Sequence, residues 1–279
     1  MKTREEILKT ASKGNKDAEL KVISLGLGVQ STAVYLMSSM GYKNLPRADV
    51  AVFADPQAEH YKTYQILDWL LEWKEKNNGI DIIVNRERNI YNDLMKTSSD
   101  SNVRVPQIPA HVSPSGIALR QCTFEYKINP VVQSTRKLHG LKPRKRMKPT
   151  EMWLGISLDE MQRMKKSSMY NIEFFYPLIY NGMDRSDCIK FFKKNNFPTP
   201  IKSSCVFCPY HSNDFWKDLK KENGSAWKMS IEVDKKIRKK RGMKGDMYLH
   251  PSLKPLEDID FSDNQLTIEG FDCEGHCGL

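Results

Sequence analysis

An α/β fold, with a doubly wound, mostly parallel sheet and a cysteine-containing C-terminal extension, is what this 279-residue sequence predicts. Three observations carry it. Short apolar runs alternate with amphipathic helical segments, and a parallel neighbour strand is reached only through a crossover long enough to hold a helix. A glycine turn separates the first strand from the first helix, and two cysteines three residues apart follow the last α/β element.

Taken in order, residues 1–20 are polar and lysine-rich, with Glu5-Glu6-Ile7-Leu8 predicting a short helix before a linker. Val22-Ile23-Ser24-Leu25 reads as a buried strand, Gly26 to Gly28 as a turn, and Ser31 to Ser39 as a helix carrying Val34, Leu36 and Met37. Ala48 to Ala54 is a second strand ending at Asp55-Pro56. Tyr64 to Lys76, with Ile66, Leu67, Leu70 and Trp73, is an amphipathic helix, and Asp81-Ile-Ile-Val84 is a third strand. Residues 95–118, rich in Ser, Pro and Asn, predict a long functional loop over the sheet edge. Cys122 to Leu138 predicts a helix, Glu151 to Ile156 a strand, and Ser186 to Asn195 a helix bearing Ile189, Phe191 and Phe192. Residues 213–242 read as charged helix, and a polar tail ends in Cys273-Glu-Gly-His-Cys277-Gly-Leu279. The expected organisation is a linker over 1–20, an α/β domain over 21–200 and a cysteine-rich helical region over 201–279.

The composition, 39% hydrophobic and 28% charged, is that of a soluble chain, and no apolar run reaches the length of a membrane span. The charged start, Met-Lys-Thr-Arg-Glu-Glu, predicts no secretory signal and a cytoplasmic setting, where six cysteines serve metal binding or catalysis rather than disulfides. A net charge of +10 attracts polyanions. Two basic runs, residues 142–148 and 235–241, suit nucleic-acid backbone or small anions, or are solvated loops; nothing in them reads bases. A homodimer stays open.

A glycine turn between the first strand and helix of a parallel sheet aims backbone N–H groups at a phosphate. Gly26-Leu27-Gly28-Val29-Gln30-Ser31-Thr32 fits that role, with Ser31 and Thr32 offering hydroxyls, or is simply a tight turn. It lacks the third glycine of the dinucleotide fingerprint and the Gly-Lys-Ser/Thr of a Walker loop. Asp55, closing the second strand, is placed to meet a ribose or adenine, or to form a plain Asp-Pro turn. Cys205-Val-Phe-Cys208-Pro209 is half of a metal or cluster site. Cys122, opening a helix whose dipole favours thiolate, is the leading third ligand. Cys188, among apolar neighbours, reads as core. His211 completes a Cys-x2-Cys-x2-His run and keeps structural zinc as the alternative. His60, His111, His139 and His250 have no metal spacing. Cys273 and Cys277 offer a fourth ligand, a redox pair, a mobile nucleophile or idle thiols.

In this order the motifs resemble the sulfonucleotide (PAPS/APS) reductase branch of the PP-loop, or adenine-nucleotide alpha-hydrolase-like, superfamily, from Val22 onward. The carrying segments are Gly26 to Thr32, Phe53-Ala-Asp55, Arg120-Gln-Cys122 with Lys127 and Pro130, Gly155 through Glu160 to Arg163, Tyr176-Pro-Leu178, Cys205/Cys208 and Cys277-Gly278-Leu279. The resemblance implies an adenine nucleotide, either ATP or a sulfonucleotide, with magnesium left open. It also implies a 4Fe–4S cluster near that nucleotide. Gly26, Gly28, Gln30, Ser31, Thr32, Asp55 and Gly155 would bind the nucleotide. Arg120, Lys127 and Arg163 would neutralise its anion, with Lys127 tuning the cluster, and Cys277 would be the nucleophile, relieved by an external thiol. Gln121 stands where the cluster-binding reductases carry an adjacent cysteine. That leaves Cys122, Cys205 and Cys208, with either Cys273 as fourth ligand or an open iron, as in cluster-dependent thiolases. Leu27 and Gln30 replace a glycine and an aspartate of the ATP-hydrolysing members. Two further readings therefore accompany sulfonucleotide reduction. One is ATP-dependent thiolation of tRNA or DNA from a sulfur donor, and the other is a zinc-stabilised nucleic-acid-binding module.

Overall fold

The structure is a computed structural model that describes residues 14–15, 17–96, 107–114, 116–239 and 245–261. Its elements are β1 (Leu20–Ser24), α1 (Val29–Met40), β2 (Val50–Ala54), α2 (Tyr61–Asn77), β3 (Asp81–Asn85), α3 (Ile90–Met95), β4 (His111–Val112), α4 (Asn129–Leu138), β5 (Thr150–Trp153), β6 (Ile172–Phe175), α5 (Pro177–Tyr180), α6 (Arg185–Lys194), α7 (Asn213–Glu222), α8 (Ser225–Ile237) and β7 (Met247–Tyr248). Five strands form one sheet in the order β3-β2-β1-β5-β6, and every pair in it is parallel.

Strand residues point alternately to the two faces, so each strand feeds two cores. Ile23, Ala51, Phe53, Trp153 and Phe175 pack with α1, α2 and α6 on one face. Val22, Val50, Val52, Met152 and Ile172 pack with Val131 of α4 on the other. Covering both faces is what a parallel sheet requires, and it explains why β2 is buried along its whole length. A third apolar cluster gathers α3, α7 and α8 around Trp216, Phe207 and Leu249, and Ala58 and Tyr126 join it from the α/β side. Buried Asp234 organises its edge by accepting the backbone N–H groups of Leu249 at 2.9 Å and Leu256 at 3.1 Å.

The differences from the sequence reading have local causes. The short strand β6 was not expected; only four residues long, with Glu173 exposed, it carries too little period-two signal. The helix expected from Cys122 is α-helical at Cys122 and Thr123, then π-helical over Phe124–Ile128, before α4. Pro130 supplies the reason, because its ring has no N–H and would press on the carbonyl of Tyr126 in a regular helix. The chain widens by one residue instead, and the Asn129 N–H bonds to the Phe124 carbonyl five residues back. The charged helix over 213–242 is two helices, parted at Asn223, which is left-handed at φ 44°, and Gly224. Of the expected loop over 95–118, the described part contains β4, antiparallel to β7. The helix expected within residues 1–13 and the tail with Cys273 and Cys277 lie outside the described residues.

Cys188 is fully buried on α6 beside Phe191 and Phe192, and burial pushes its thiol up to about 12. It is therefore a core side chain. Cys188→Ala is expected to fold and to bind the same ligands as wild type. Cys188→Ser, which adds a hydroxyl among apolar neighbours, is expected to cost about 1–3 kcal/mol in urea unfolding. Equal stability of Cys188→Ser and wild type would contradict this placement.

Candidate nucleotide crevice and adjoining thiol cavity

The crossovers leave β1 in one direction toward β2 and β3, and in the other toward β5 and β6, so the sheet reverses between β1 and β5. Parallel sheets open a crevice beyond the carboxyl ends of the strands at such a point. Here it is a cavity of about 760 Å³, floored by Ser24, Leu25, Phe53 and Ala54 at the strand ends and by Leu154 and Gly155 after β5.

The glycine loop forms one side. Gly28 caps α1 in extended conformation, no side chain caps the helix, and its first turn carries no acidic residue. That is the electrostatic condition under which a helix N-terminus receives an anion. Ser31 staples the loop, its Oγ accepting the Gly26 N–H at 3.1 Å and donating to the Gly28 carbonyl at 3.4 Å. Leu27 holds a left-handed conformation, φ 58°, that favours glycine, and its side chain is buried in the core as an anchor. The helix is seated by Gly155. A Cβ there would lie 2.6 Å from the Ser31 backbone nitrogen and 2.7 Å from its Cα, so only glycine allows the β5 strand end to pass under the loop.

Gly26, Gly28, Gln30, Ser31, Gly155, Lys127 and Arg163 of the expected residues all line this crevice. Thr32 does not. One position on in a helix turns about 100° away, and its hydroxyl is buried in the core without a partner. Asp55 is also held away from the crevice lining. Its carboxylate accepts from the Gln57 N–H at 2.7 Å and the Tyr64 hydroxyl at 2.9 Å, and it pairs with Arg86 at 2.9 Å, so the aspartate serves the turn after β2. Arg120 stands behind the rim, its guanidinium 5.6 Å from the centre of the lining Tyr210 ring.

Several lining residues carried no sequence signal. Arg185, at the start of α6, donates to Gln30 Oε1 at 2.8 Å and so brings a guanidinium to the glycine loop from 155 residues away. Arg163 pairs with Glu160 at 2.9 Å, and burial raises the Glu160 carboxyl above its usual range against the pull of Arg163. Farther from the loop the wall is His60, Lys62, Lys202, Ser203, His211 and Phe215. Their distance in sequence hid this grouping; four of the six lie after residue 200.

A second, small cavity of about 40 Å³ lies next to the crevice. Cys122, Cys205 and Cys208 line it together, with Ile90, Ile108, Phe207 and Lys127. The π-helical turn brings this about. Residues five apart share a face in a π-helix but not in an α-helix, so Cys122 and Lys127 both reach the cavity. Burial pushes the Cys205 thiol well up, with Glu59, Cys208 and Cys122 adding to the rise and Lys127 opposing it. Lys127 lines both cavities and pairs at 2.9 Å with Glu59, whose side chain is fully buried and also accepts from the Ser203 hydroxyl at 3.0 Å.

Among the described residues no three His, Cys, Asp or Glu side chains are grouped to hold a metal ion. A single zinc ion draws its donors to about 2.0–2.3 Å from one point, and the third donor of the zinc alternative faces elsewhere. His211 lines the crevice rather than the thiol cavity, and its Nε2 donates to the Cys205 carbonyl at 2.8 Å.

No family model matches the chain, and no curated protein matches it. Among solved structures it is similar to a phosphoadenylyl-sulfate (PAPS) reductase from Candida auris, in a phosphate complex, with 14% identity and a TM-score of 0.40, over 71% of this chain and 82% of that one.

Gly155→Ala is expected to fold, because the added methyl meets only the backbone of Gln30 and Ser31 in the first turn of α1, and to lose at least about ten-fold in affinity for inorganic phosphate or an adenine nucleotide as α1 is pushed off its seat. Undiminished affinity would show that the loop does not hold the anion. The histidines set a pH limit. Burial lowers the proton affinity of His60, His111, His139, His211 and His250, to about 3 for His211 and about 4 for His250. The unfolded chain, with the usual value of 6.5, then takes up protons that the folded one refuses. The histidines' contribution to stability is complete above about pH 6.5 and falls as the pH drops toward the folded values. Urea midpoints are expected to decline from pH 7.5 to pH 5, less steeply for His211→Phe; a flat profile would contradict the burial of these rings.

Proposed function

We propose that this chain is an adenine-nucleotide-binding enzyme of sulfur chemistry, of the PP-loop type and closest in character to the sulfonucleotide reductases. The observation that carries the reading is the shared wall: Lys127 borders both the crevice at the glycine loop and the cavity lined by three cysteines. The anionic end of the nucleotide meets the first turn of α1, the Ser31 hydroxyl and the guanidiniums of Arg185 and Arg163, which are charge-assisted donors. Gln30 positions Arg185. The nucleoside lies over Phe53 and Ala54 at the end of β2, the apolar part of the floor.

The thiol cavity suits a 4Fe–4S cluster on its donor chemistry. Three thiols line one apolar pocket, burial raises that of Cys205, and a cationic iron core favours thiolate donors. Cys122, Cys205 and Cys208 would hold it, with Cys273 as the fourth ligand or one iron open. When bound, such a cluster supplies electron transfer or an iron site for sulfide. The chain's own residues do the rest. Lys127 holds positive charge between the two sites, Glu59 fixes Lys127, and the loop orients the anion. In sulfonucleotide reduction the Cys277 thiolate attacks the nucleotide's sulfur, the sulfur–oxygen bond breaks and the nucleoside phosphate leaves. Two external thiols then release sulfite and restore Cys277, becoming a disulfide.

One observation favours the second reading, transfer of sulfur to another molecule by way of ATP. The crevice continues past the loop half into a compartment walled by His60, Lys202, His211 and Phe215, with room for a second reactant. Magnesium would then accompany the nucleotide. The described residues contain no helix long and apolar enough to cross a membrane.

Purified without oxygen, the protein is expected to be brown, with about four irons and matching sulfide, and Cys205→Ser is expected to lose them. Thiol-dependent sulfite release from a sulfonucleotide supports reduction; release of AMP and pyrophosphate supports transfer. A colourless protein with one zinc after cluster reconstitution would overturn both.

A further inference from the structure

The half of the crevice remote from the glycine loop is walled by rings. Phe215 on α7 lies parallel to His211, with centroids 3.5 Å apart at an angle of 11°, and His60 meets Phe215 edge-on at 5.7 Å. His60 continues the series outward to Tyr61, at 4.5 Å, which is 47% exposed at the start of α2. Both histidines present uncharged faces. Burial keeps them neutral, His60 Nδ1 accepts the Lys62 backbone N–H at 3.3 Å, and His211 Nε2 donates to the Cys205 carbonyl. A neutral imidazole whose Nδ1 accepts carries its proton on Nε2, which leaves His60 as a donor.

Lys62 and Lys202 stand exposed on the same lining, and neither forms a salt bridge among the described residues. Asp218 and Glu222, one turn apart on α7, line it as well. Flat neutral rings, two exposed ammonium groups, of which that of Lys62 lies 5.8 Å from the centre of the Tyr61 ring, and carboxylate acceptors are the three kinds of contact that a nucleotide unit takes: a stacking face, phosphate partners and acceptors for an exocyclic amine. The series of rings runs out of the crevice beside Lys62, so the platform continues beyond the space of one base. A strand of several nucleotides uses that continuation, whereas a free nucleotide does not.

We propose that this half of the crevice binds a nucleobase of a single-stranded nucleic acid. The base stacks on the Phe215–His211 wall, its amine-bearing edge faces Asp218 and Glu222, and its flanking phosphates meet Lys62 and Lys202. The inference rests on the adenine-nucleotide reading of the loop half and names the acceptor that would lie opposite it. A base paired in a duplex cannot enter such a wall without leaving its stack, so single strands bind in preference to duplex.

The test uses the full chain with fluorescein-labelled twelve-residue oligonucleotides of mixed sequence, DNA and RNA, single-stranded and duplex, read by fluorescence anisotropy at two salt concentrations. The wild type is expected to bind single strands saturably and in preference to duplex, more weakly at high salt. Phe215→Leu, which keeps apolar volume but removes the ring, is expected to weaken binding about ten-fold. The double variant Lys62→Glu/Lys202→Glu, confined to exposed side chains, is expected to weaken it at least ten-fold and to lower the salt slope by about two. Absence of single-strand binding, preference for duplex, or undiminished affinity in both variants would overturn the proposal. Adenine-nucleotide binding to the wild type is measured separately by calorimetry. Nucleotide binding without oligonucleotide binding defeats this inference alone; absence of nucleotide binding defeats the reading beneath it.

Discussion

A carboxylate with no exposed surface has to be given partners, and Glu59 has its partners in the two places where chemistry is expected. Its side chain accepts from Lys127 and from Ser203, while its backbone bridges to Cys205. The pair ties the turn after β2, the π-helical turn and the cysteine segment into one unit. Removing one partner of a buried pair costs about 3–5 kcal/mol, because the other charge is stranded away from water. The ammonium of Lys127 is therefore fixed between crevice and thiols. In the same position it opposes the rise in the Cys205 thiol that burial and Glu59 produce.

Around that unit the sheet topology sets distances. The reversal of strand order between β1 and β5 opens the crevice, and the absence of a side chain at Gly155 lets β5 approach the start of α1. Leu27 gives the turn a left-handed residue and a core anchor at once, so the loop is pinned to the core although it departs from a glycine-rich pattern. The guanidinium of Arg185 adds positive charge where the first turn of α1 has no carboxylate. Both features favour direct contact of an anion with the protein.

The parallel α/β core was legible because β1, β2 and β3 are short apolar runs separated by helices with clear 3.6-residue periodicity. The glycine loop was legible from its place between β1 and α1. The partnering of Asp55 with Tyr64 and Arg86 was not, since nothing in Phe53-Ala-Asp55 shows which way the carboxylate turns. Likewise Thr32 looked equivalent to Ser31 until the helix phase placed one hydroxyl at the loop and the other in the core. The convergence of Cys122 with Cys205 and Cys208 was proposed from chemistry alone, and all three line one cavity. The π-helical turn that brings Lys127 there was missed, because Pro130 gave the signal only in combination with the helix it interrupts. Arg185 and the ring wall depend on packing between elements far apart in sequence, which periodicity does not report.

The central claim is that nucleotide crevice and thiol cavity communicate through Lys127. The most direct test is the rate of alkylation of Cys122, Cys205 and Cys208 by iodoacetamide, read residue by residue by peptide mass spectrometry. It is measured on metal-free protein with and without a saturating adenine nucleotide, in wild type and in Lys127→Met. Occupancy of the crevice is predicted to change the rates at these thiols in wild type and to leave them unchanged in Lys127→Met. Nucleotide binding that leaves all three rates unaltered in wild type would contradict the claim.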